Sequence, residues 1–192
     1  MQRGPGDGMI LATHEFARFE HALVVGGTGM LADAARFLRD HSKWMTLVSR
    51  SAKLRGLSKQ PDNTCAVDWH DFAAFSAALG PCMSATPPDV ALLWMHSDAW
   101  LSLLWLLGQL ATRPVLIVHV VGSSWSRPPG GDHEIGDVVV AAGAKYVNVV
   151  LGSKALPNGR RQWLTNSEIG SGAIEAIQTA RDVMVGEMGP AR

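Results

Sequence analysis

The chain has 192 residues, of which 47% are hydrophobic and 18% are charged, with seventeen basic and seventeen acidic side chains. This composition supplies a buried core for one domain and excludes an intrinsically disordered chain. We find no basic stripe and no polybasic cluster, which argues against binding to nucleic acid or to anionic membranes.

The elements predicted in chain order alternate between strand and helix. Each strand is a short apolar run, and helical spacing of apolar residues follows the first, third and fourth of these runs. The strands are predicted at residues 22–25, 44–48, 64–67, 90–95, 115–121 and 146–151. The fifth run is continuous and β-branched, as expected for a parallel strand that is covered on both faces.

Three helix signals support this order. Asp71 can cap a helix that begins at Phe72, and Thr165 with Glu168 three residues later forms a capping box for a C-terminal helix. The segment 100–110 is apolar nearly all round, so we expect it to be buried on more than one side. We therefore predict a homodimer contact on this helix, because one sheet face cannot cover it completely.

Strands that alternate with helices at this pace predict an α/β fold, a doubly wound parallel sheet of the Rossmann type in a single domain. We place the domain at residues 20–182, with an N-terminal tail at 1–19 and a C-terminal tail at 183–192. The proline- and glycine-rich segment 127–137 is predicted to be an irregular loop. The apolar stretch 90–121 is interrupted by charged residues and Pro114, so it predicts a buried strand–helix–strand unit and no membrane span.

The turn after the first strand is typical of a phosphate site. Gly26, Gly29 and Ala32 stand where a glycine permits a sharp turn, a second glycine lets a pyrophosphate approach the backbone, and a small residue lets the helix pack on the strand. The N-terminus of the following helix offers unpaired N–H groups to the phosphates. Gly27 and Thr28 add flexibility and a hydroxyl donor. A tight turn without a ligand is the alternative.

The end of the second strand indicates which dinucleotide is bound. A site that prefers NAD presents a carboxylate about twenty residues after the glycines. This chain has Ser49 and Arg50 there, with Lys53 and Arg55 close behind. Arginine can hold a 2′-phosphate with two parallel hydrogen bonds, so we predict NADP in preference to NAD. A solvated basic loop is the alternative.

These motifs resemble those of the short-chain dehydrogenases and reductases. GGTGMLA resembles the glycine motif of extended and atypical members, SRS resembles their NADP-selecting loop, and Asp68 resembles the residue that contacts adenine. WMHSD lies where the fourth-strand motif borders the cofactor, and VVGSS lies where the fifth strand delivers the catalytic serine, here Ser123 or Ser124. The resemblance covers roughly residues 20 to 180. The cofactor-binding residues that the turn and the resemblance together predict are Gly26, Gly27, Thr28, Gly29, Met30, Leu31, Ser49, Arg50, Ser51, Asp68, His96, Ser97 and Ser123.

The chain departs from that family at the catalytic pair. Family catalysis normally uses Tyr-x-x-x-Lys, but the one tyrosine of this chain, Tyr146, is followed four residues later by Val150. Tyr146 also begins a predicted strand, so we interpret it as a strand residue. His119 lies inside the fifth predicted strand and is interpreted as a packing histidine.

Candidate catalytic residues must come from the carboxyl ends of the strands, where ligands bind in open parallel sheets. His96 is the most versatile candidate because imidazole titrates near neutral pH, and Ser123 is the second. Lys154 could orient a substrate, although a surface role is the simpler reading. We expect an NADP-dependent oxidoreductase for a small carbonyl, imine or activated alkene. The alternative is an NADP-binding sensor or partner protein, or a non-redox cyclase or isomerase.

The cysteine count gives one further expectation. Cys65 and Cys82 are too few for a disulfide framework and lack the spacing of metal ligands. We expect two ordinary thiols in a reducing cytoplasm, and we predict no metal site.

Overall fold

A computed structural model describes residues 19–51, 53, 60–123, 139–140 and 142–188. Within these residues, seven strands form one sheet in the order β3-β2-β1-β4-β5-β6-β9, and every neighbouring pair is parallel. Two further strands, β7 and β8, form a short antiparallel hairpin. The strands are β1 (Phe19–Val25), β2 (Ser42–Ser49), β3 (Asn63–Ala66), β4 (Val90–Leu93), β5 (Leu116–Gly122), β6 (Lys145–Leu151), β7 (Lys154–Ala155), β8 (Arg161–Gln162) and β9 (Val183–Val185).

Helices cover both faces of the sheet, which confirms the predicted doubly wound Rossmann architecture. The helices are α1 (Ala32–Asp40), α2 (Phe72–Ala85), α3 (Trp100–Leu110) and α4 (Asn166–Thr179). One core cluster joins the sheet to α1 and α4, and the other joins it to α2 and α3. The apolar residues of β1 from Ala22 to Val25 are fully buried, as expected for a central strand between two helix layers.

The predicted helix caps are confirmed by the hydrogen bonds. The Asp71 carboxylate accepts from the Ala74 backbone N–H at 3.0 Å. Thr165 Oγ1 accepts from the Glu168 N–H at 3.3 Å, and the Glu168 carboxylate accepts from the Thr165 N–H at 2.9 Å. Each cap satisfies backbone donors that the first helical turn leaves without partners.

The C-terminal boundary differs from the prediction. Val183–Val185 is the edge strand β9, which pairs with β6 and extends the sheet beyond residue 182, where a tail was expected. Gly172 of α4 makes this possible, since a Cβ at that position would lie 2.2 Å from Val185 Cγ2. Close packing against α4 therefore holds this three-residue strand. The strand could not be predicted from its own residues, because this packing is a tertiary contact. At the other end, β1 already begins at Phe19, and residues 1–18 lie outside the described residues.

The buried pair Arg39–Asp62 joins α1 to the segment before β3. The Arg39 side chain is 1% exposed and donates to Asp62 Oδ2 at 2.7 Å. The same carboxylate oxygen accepts from the backbone N–H of Met45 in β2 at 2.8 Å. A buried guanidinium depends on such a partner, because an unpaired charge inside the protein is strongly unfavourable.

None of the helices described here combines the length and the apolar character that a membrane span requires. The helix α3 is apolar, as predicted, but only part of its surface packs on the sheet. Leu103, Leu106, Leu107 and Leu110 are buried, whereas Leu101 is 67% exposed.

Candidate functional site

A cavity of about 460 Å³ opens at the carboxyl ends of β1, β2 and β4. This is the edge of an open parallel sheet at which ligands bind. The cavity brings together eight of the predicted site residues and three that were not predicted. Its lining residues are Gly26, Thr28, Gly29, Met30, Ser49, Arg50, Ser51, Trp69, His70, Trp94 and His96.

The glycine turn forms one wall of this cavity. Gly26 has φ +81°, and a Cβ there would lie 2.7 Å from the backbone oxygen of Trp94, so only glycine fits this turn without strain. A Cβ at Gly29 would meet no described atom within 4 Å, which leaves the backbone open to a ligand. The N-cap residue of α1, Leu31, makes no side-chain cap hydrogen bond. The turn and the helix N-terminus together suit an anionic group such as a phosphate.

The tight contact between helix and strand falls on a different residue from the one predicted. A Cβ at Gly27 would lie 2.3 Å from Val24 Cγ1 and 3.2 Å from Ala35 Cβ. Gly27 therefore supplies the close packing that the sequence analysis assigned to Ala32, which is only half-buried.

The end of β2 forms the second wall. Ser49 is buried at the last position of the strand, and the exposed Arg50 and Ser51 follow it. Hydrogen bonds from His70 lower the pKa of the Asp68 carboxyl, and the charge of Arg50 adds a smaller contribution in the same direction. A guanidinium at this position lies on the cavity wall, one strand away from the glycine turn.

The segment after β3 brings an imidazole held by two carboxylates to the cavity. His70 Nδ1 lies 2.7 Å from Asp68 Oδ1, and its Nε2 lies 3.2 Å from Asp98 Oδ1. The hydrogen bond with Asp68 raises the pKa of His70, and the hydrogen bonds from His70 lower the pKa of Asp68. Neighbouring Trp69 is 9% exposed, and its indole N–H has no hydrogen-bond partner among the described residues. A ligand acceptor in the cavity would be one partner for that donor.

The segment after β4 supplies the remaining wall. Trp94 and His96 both line the cavity, and their rings meet edge to face with centroids 4.8 Å apart. His96 is exposed and lies beyond the end of β4 on the cavity wall.

Five predicted site residues are not among the cavity-lining residues. Gly27 packs inside the fold, and Leu31 is a fully buried core residue. Asp68 contacts the cavity through His70. Ser97 begins the 3₁₀ turn before α3, and Ser123 is exposed after β5 with its backbone N–H on Leu151 O. Ser124, the other serine considered, lies outside the described residues.

The single tyrosine lies elsewhere in the sheet. Tyr146 is the second residue of β6, at the opposite end of the strand from the carboxyl edge. Its hydroxyl lies 2.6 Å from Nδ1 of His119, a fully buried side chain whose pKa burial lowers to about 4. His119 is thus a packed histidine, as predicted, and Tyr146 is a strand residue.

Lys154, which was considered for orienting a substrate, forms an ion pair with Glu168 at 2.5 Å, and this pair holds its ammonium at the start of α4.

Sequence reasoning missed Trp69, His70 and Trp94 as cavity residues. A signal for two of them was present, because Trp69 and His70 directly follow Asp68 beyond the third strand. Trp94 was taken as the interior of a strand predicted to run to residue 95, but β4 ends at Leu93. Because the strand is shorter than predicted, Trp94 and His96 lie in the segment after it and line the cavity.

Comparison with solved structures places this fold among known ones. The chain is similar to a short chain dehydrogenase from Burkholderia cenocepacia in complex with NADP, with 12% identity, a TM-score of 0.67, and coverage of 88% of this chain and 89% of that one. It is also similar to a glucose dehydrogenase of Caenorhabditis elegans, with 13% identity, a TM-score of 0.59, and coverage of 90% and 97%. A carveol dehydrogenase from Mycobacterium avium in complex with NAD matches with 11% identity, a TM-score of 0.55, and coverage of 88% and 96%. At these identities the likeness shows that the chain shares their Rossmann fold, as the sequence motifs predicted.

Comparisons of sequence alone gave no counterpart. No protein-family model matches the chain, and no curated protein matches it either.

Proposed function

We propose that this protein is an NADP(H)-dependent oxidoreductase of the cytoplasm that acts on a small carbonyl, imine or activated alkene. The observation that carries the proposal is the cavity at the carboxyl edge, which joins the glycine turn, the Ser49–Arg50–Ser51 segment and His96. The solved structures that share this fold include a short chain dehydrogenase in complex with NADP and a carveol dehydrogenase in complex with NAD.

The residues of the cavity fit a dinucleotide phosphate in three respects. No described atom lies within 4 Å of where a Cβ at Gly29 would be, so a phosphate can approach the backbone there. The N–H groups at the N-terminus of α1 favour an anion. The indole N–H of Trp69 has no hydrogen-bond acceptor among the described residues. Arg50 would hold the 2′-phosphate, which favours NADP over NAD. When bound, the cofactor supplies hydride transfer, and the protein supplies orientation and proton handling.

His96 is the candidate for proton handling in this proposal. It is exposed on the cavity wall, and the ring of Trp94 supports it edge to face. Ser123 stays a weaker candidate, because it is not among the cavity-lining residues. An imine or an activated alkene demands less protonation help than a ketone, which suits a site without a tyrosine–lysine pair.

The first test measures the cofactor preference. Replacing Arg50 with alanine should weaken NADPH binding about 10–100-fold, because charged hydrogen bonds contribute roughly 1.5–3 kcal/mol. NADH binding should change by less than about 3-fold, since NADH has no 2′-phosphate for the guanidinium to hold. Titration calorimetry of the wild type and the variant with both cofactors gives the two ratios.

Arg113→Ala is the matched control for this test. Arg113 is exposed and precedes β5, so it lies at the opposite edge of the sheet. The Arg113→Ala variant should bind NADPH and NADH as the wild type does. Equal losses for NADPH and NADH in Arg50→Ala would contradict the assignment of NADP, and a wild type that binds neither cofactor would contradict the site itself.

A second function is favoured by the position of Tyr146. Its hydroxyl is engaged by buried His119, and the residue lies far along β6 from the carboxyl edge. An NADP-binding sensor or partner protein, or a non-redox cyclase or isomerase, needs no tyrosine–lysine pair. Protein that binds NADPH but oxidises it with no carbonyl, imine or enone of a test panel would favour this second function.

We also propose that the protein forms a homodimer through α3. Leu101, Leu104, Trp105 and Gly108 follow helical spacing on one side of α3, where they are exposed or half-buried. No charged residue occurs between Asp98 and Arg113, so a second copy could pack on this stripe without burying a charge. A Cβ at Gly108 would meet no described atom, which leaves room for a large side chain such as Leu101 of the second copy.

The dimer predicts a light-scattering mass of twice the 20.6 kDa of one chain. Leu101→Lys should shift the protein to folded monomers, because this side chain is 67% exposed within one chain and its replacement disturbs little inside the monomer. Met184→Lys, at a 49% exposed methionine of β9, is the control and should leave the dimer intact. Dissociation by Met184→Lys instead would place the contact at the sheet edge, and a wild-type monomer would exclude the dimer.

A further inference from the structure

The two cysteines of the chain meet between a strand and a helix. Cys65 is the third residue of β3, and Cys82 lies in the last turns of α2. Their sulfur atoms are 3.7 Å apart, in van der Waals contact. The sequence alone does not predict this contact, because Cys82 lies seventeen positions after Cys65 and the start of α2 falls between them.

Neither cysteine is fully buried. Each cysteine is half-buried, and each Sγ lies within hydrogen-bond distance of the same backbone oxygen, that of Ala78, at 3.8 and 3.7 Å. The shared carbonyl keeps the two sulfur atoms on one side of α2.

We propose that Cys65 and Cys82 form a redox-modification site, in which a low-molecular-weight disulfide converts the two thiols into an intramolecular disulfide between β3 and α2. This inference stands apart from the proposed function, because it rests on the sulfur contact alone. In a reducing compartment the pair stays as two thiols.

The reaction with oxidised glutathione proceeds by two exchanges. One cysteine thiolate attacks a glutathione sulfur, which breaks the glutathione disulfide and releases one glutathione. The other cysteine thiolate attacks the protein sulfur of the mixed disulfide and releases the second glutathione. The two cysteines lose two electrons and two protons in total, and the oxidant takes up both as two glutathione thiols.

The movement that this bond requires is small. A disulfide has an S–S length of about 2.05 Å, so the sulfur atoms must approach by less than about 2 Å, within the range of side-chain rotation. Pro81 lies inside α2 immediately before Cys82. Because proline removes one helical hydrogen bond, the turn that carries Cys82 can adjust at low cost.

The environment of Cys65 sets the conditions for the reaction. Burial, followed by the hydrogen bond with Cys82, raises the pKa of the Cys65 thiol to about 11. Only the thiolate reacts, so this thiol reacts slowly near neutral pH and faster in mildly alkaline buffer.

The experiment treats the full chain with oxidised glutathione in mildly alkaline buffer. The intact mass should fall by two hydrogen atoms, and both free thiols should disappear in denaturant. The chain has no lysine or arginine from Gln60 to Leu110, so one tryptic fragment contains both cysteines. A second cleavage by chymotrypsin after Phe72 or Phe75 separates them, and the two pieces should then stay linked until a reductant is added.

The oxidised protein should also unfold at a higher temperature, by on the order of 5–10 °C, because the link closes a loop in the unfolded chain. Cys65→Ser and Cys82→Ser are the matched controls, and each should show no loss of two hydrogen atoms and no shift on oxidation.

Three results concerning the thiols would overturn the proposal. They are two titratable thiols after prolonged oxidation, separate glutathione adducts on the two cysteines, and a link between two chains instead of within one. A thermal midpoint that falls on oxidation would also overturn it, since the bond would then form only by distorting the native contact between β3 and α2.

Discussion

Replacing Asp62 with alanine should lower the free energy of unfolding by about 3–5 kcal/mol, because it leaves the Arg39 guanidinium buried without a counter-charge. Arg39 is 1% exposed in its side chain, and its hydrogen bond to Asp62 measures 2.7 Å. The substitution also removes the acceptor for the Met45 backbone N–H in β2. Urea unfolding of the wild type and the variant, followed by tryptophan fluorescence, measures the loss.

Helix α1, which contains Arg39, also offers a matched control for Asp62→Ala. Asp33 and Arg36 form an ion pair whose side chains are 49% and 36% exposed. Asp33→Ala should cost less than about 1 kcal/mol, because exposed pairs contribute little after solvent screening. If Asp62→Ala lost no more stability than Asp33→Ala, the buried pair would not support the fold in the way proposed.

The second large effect is expected at the contact between α4 and β9. Gly172→Ala should destabilise the protein by about 1–3 kcal/mol, since its new methyl group would lie 2.2 Å from Val185 Cγ2 and the core must shift to admit it. The better helix propensity of alanine, about 1 kcal/mol, offsets part of this cost. Chemical unfolding again gives the difference.

A double variant separates the clash from other effects of Gly172→Ala. Val185→Ala removes the atom that the new methyl group would meet, so Gly172→Ala should cost less in the Val185→Ala background than in the wild type. Equal costs in both backgrounds would show that the contact between Gly172 and Val185 does not limit the packing of β9.

Much of the fold could be predicted because its local signals agree with one another. The Asp71 cap and the Thr165–Glu168 capping box depend on residues three positions apart, so the sequence contains their full geometry. The apolar runs of β1 and β4 could also be predicted, because residues 22–25 and 90–93 are buried on both faces of the sheet. The edge strand β9 and the hairpin of β7 and β8 lack such signals, because neighbouring segments hold them by packing and hydrogen bonds.

The candidate site divides in a similar way. Gly26 and Gly29 were predicted from a turn motif within one short stretch, and Arg50 was predicted from its position at the end of the second predicted strand. Trp69, His70 and Trp94 were missed because they come from the ends of two other strands, and only the folded sheet brings those ends to one cavity.

By itself, the sequence determined the parallel α/β architecture and the glycine turn, since hydrophobic periodicity and backbone permissiveness are local properties of a chain. Only the tertiary structure decided which side chains share the cavity, that the Tyr146 hydroxyl contacts buried His119, and that Cys65 and Cys82 lie 3.7 Å apart. Those relations depend on strand order and on where each strand ends. Distances between residues far apart in the chain are fixed by packing and not by any short motif.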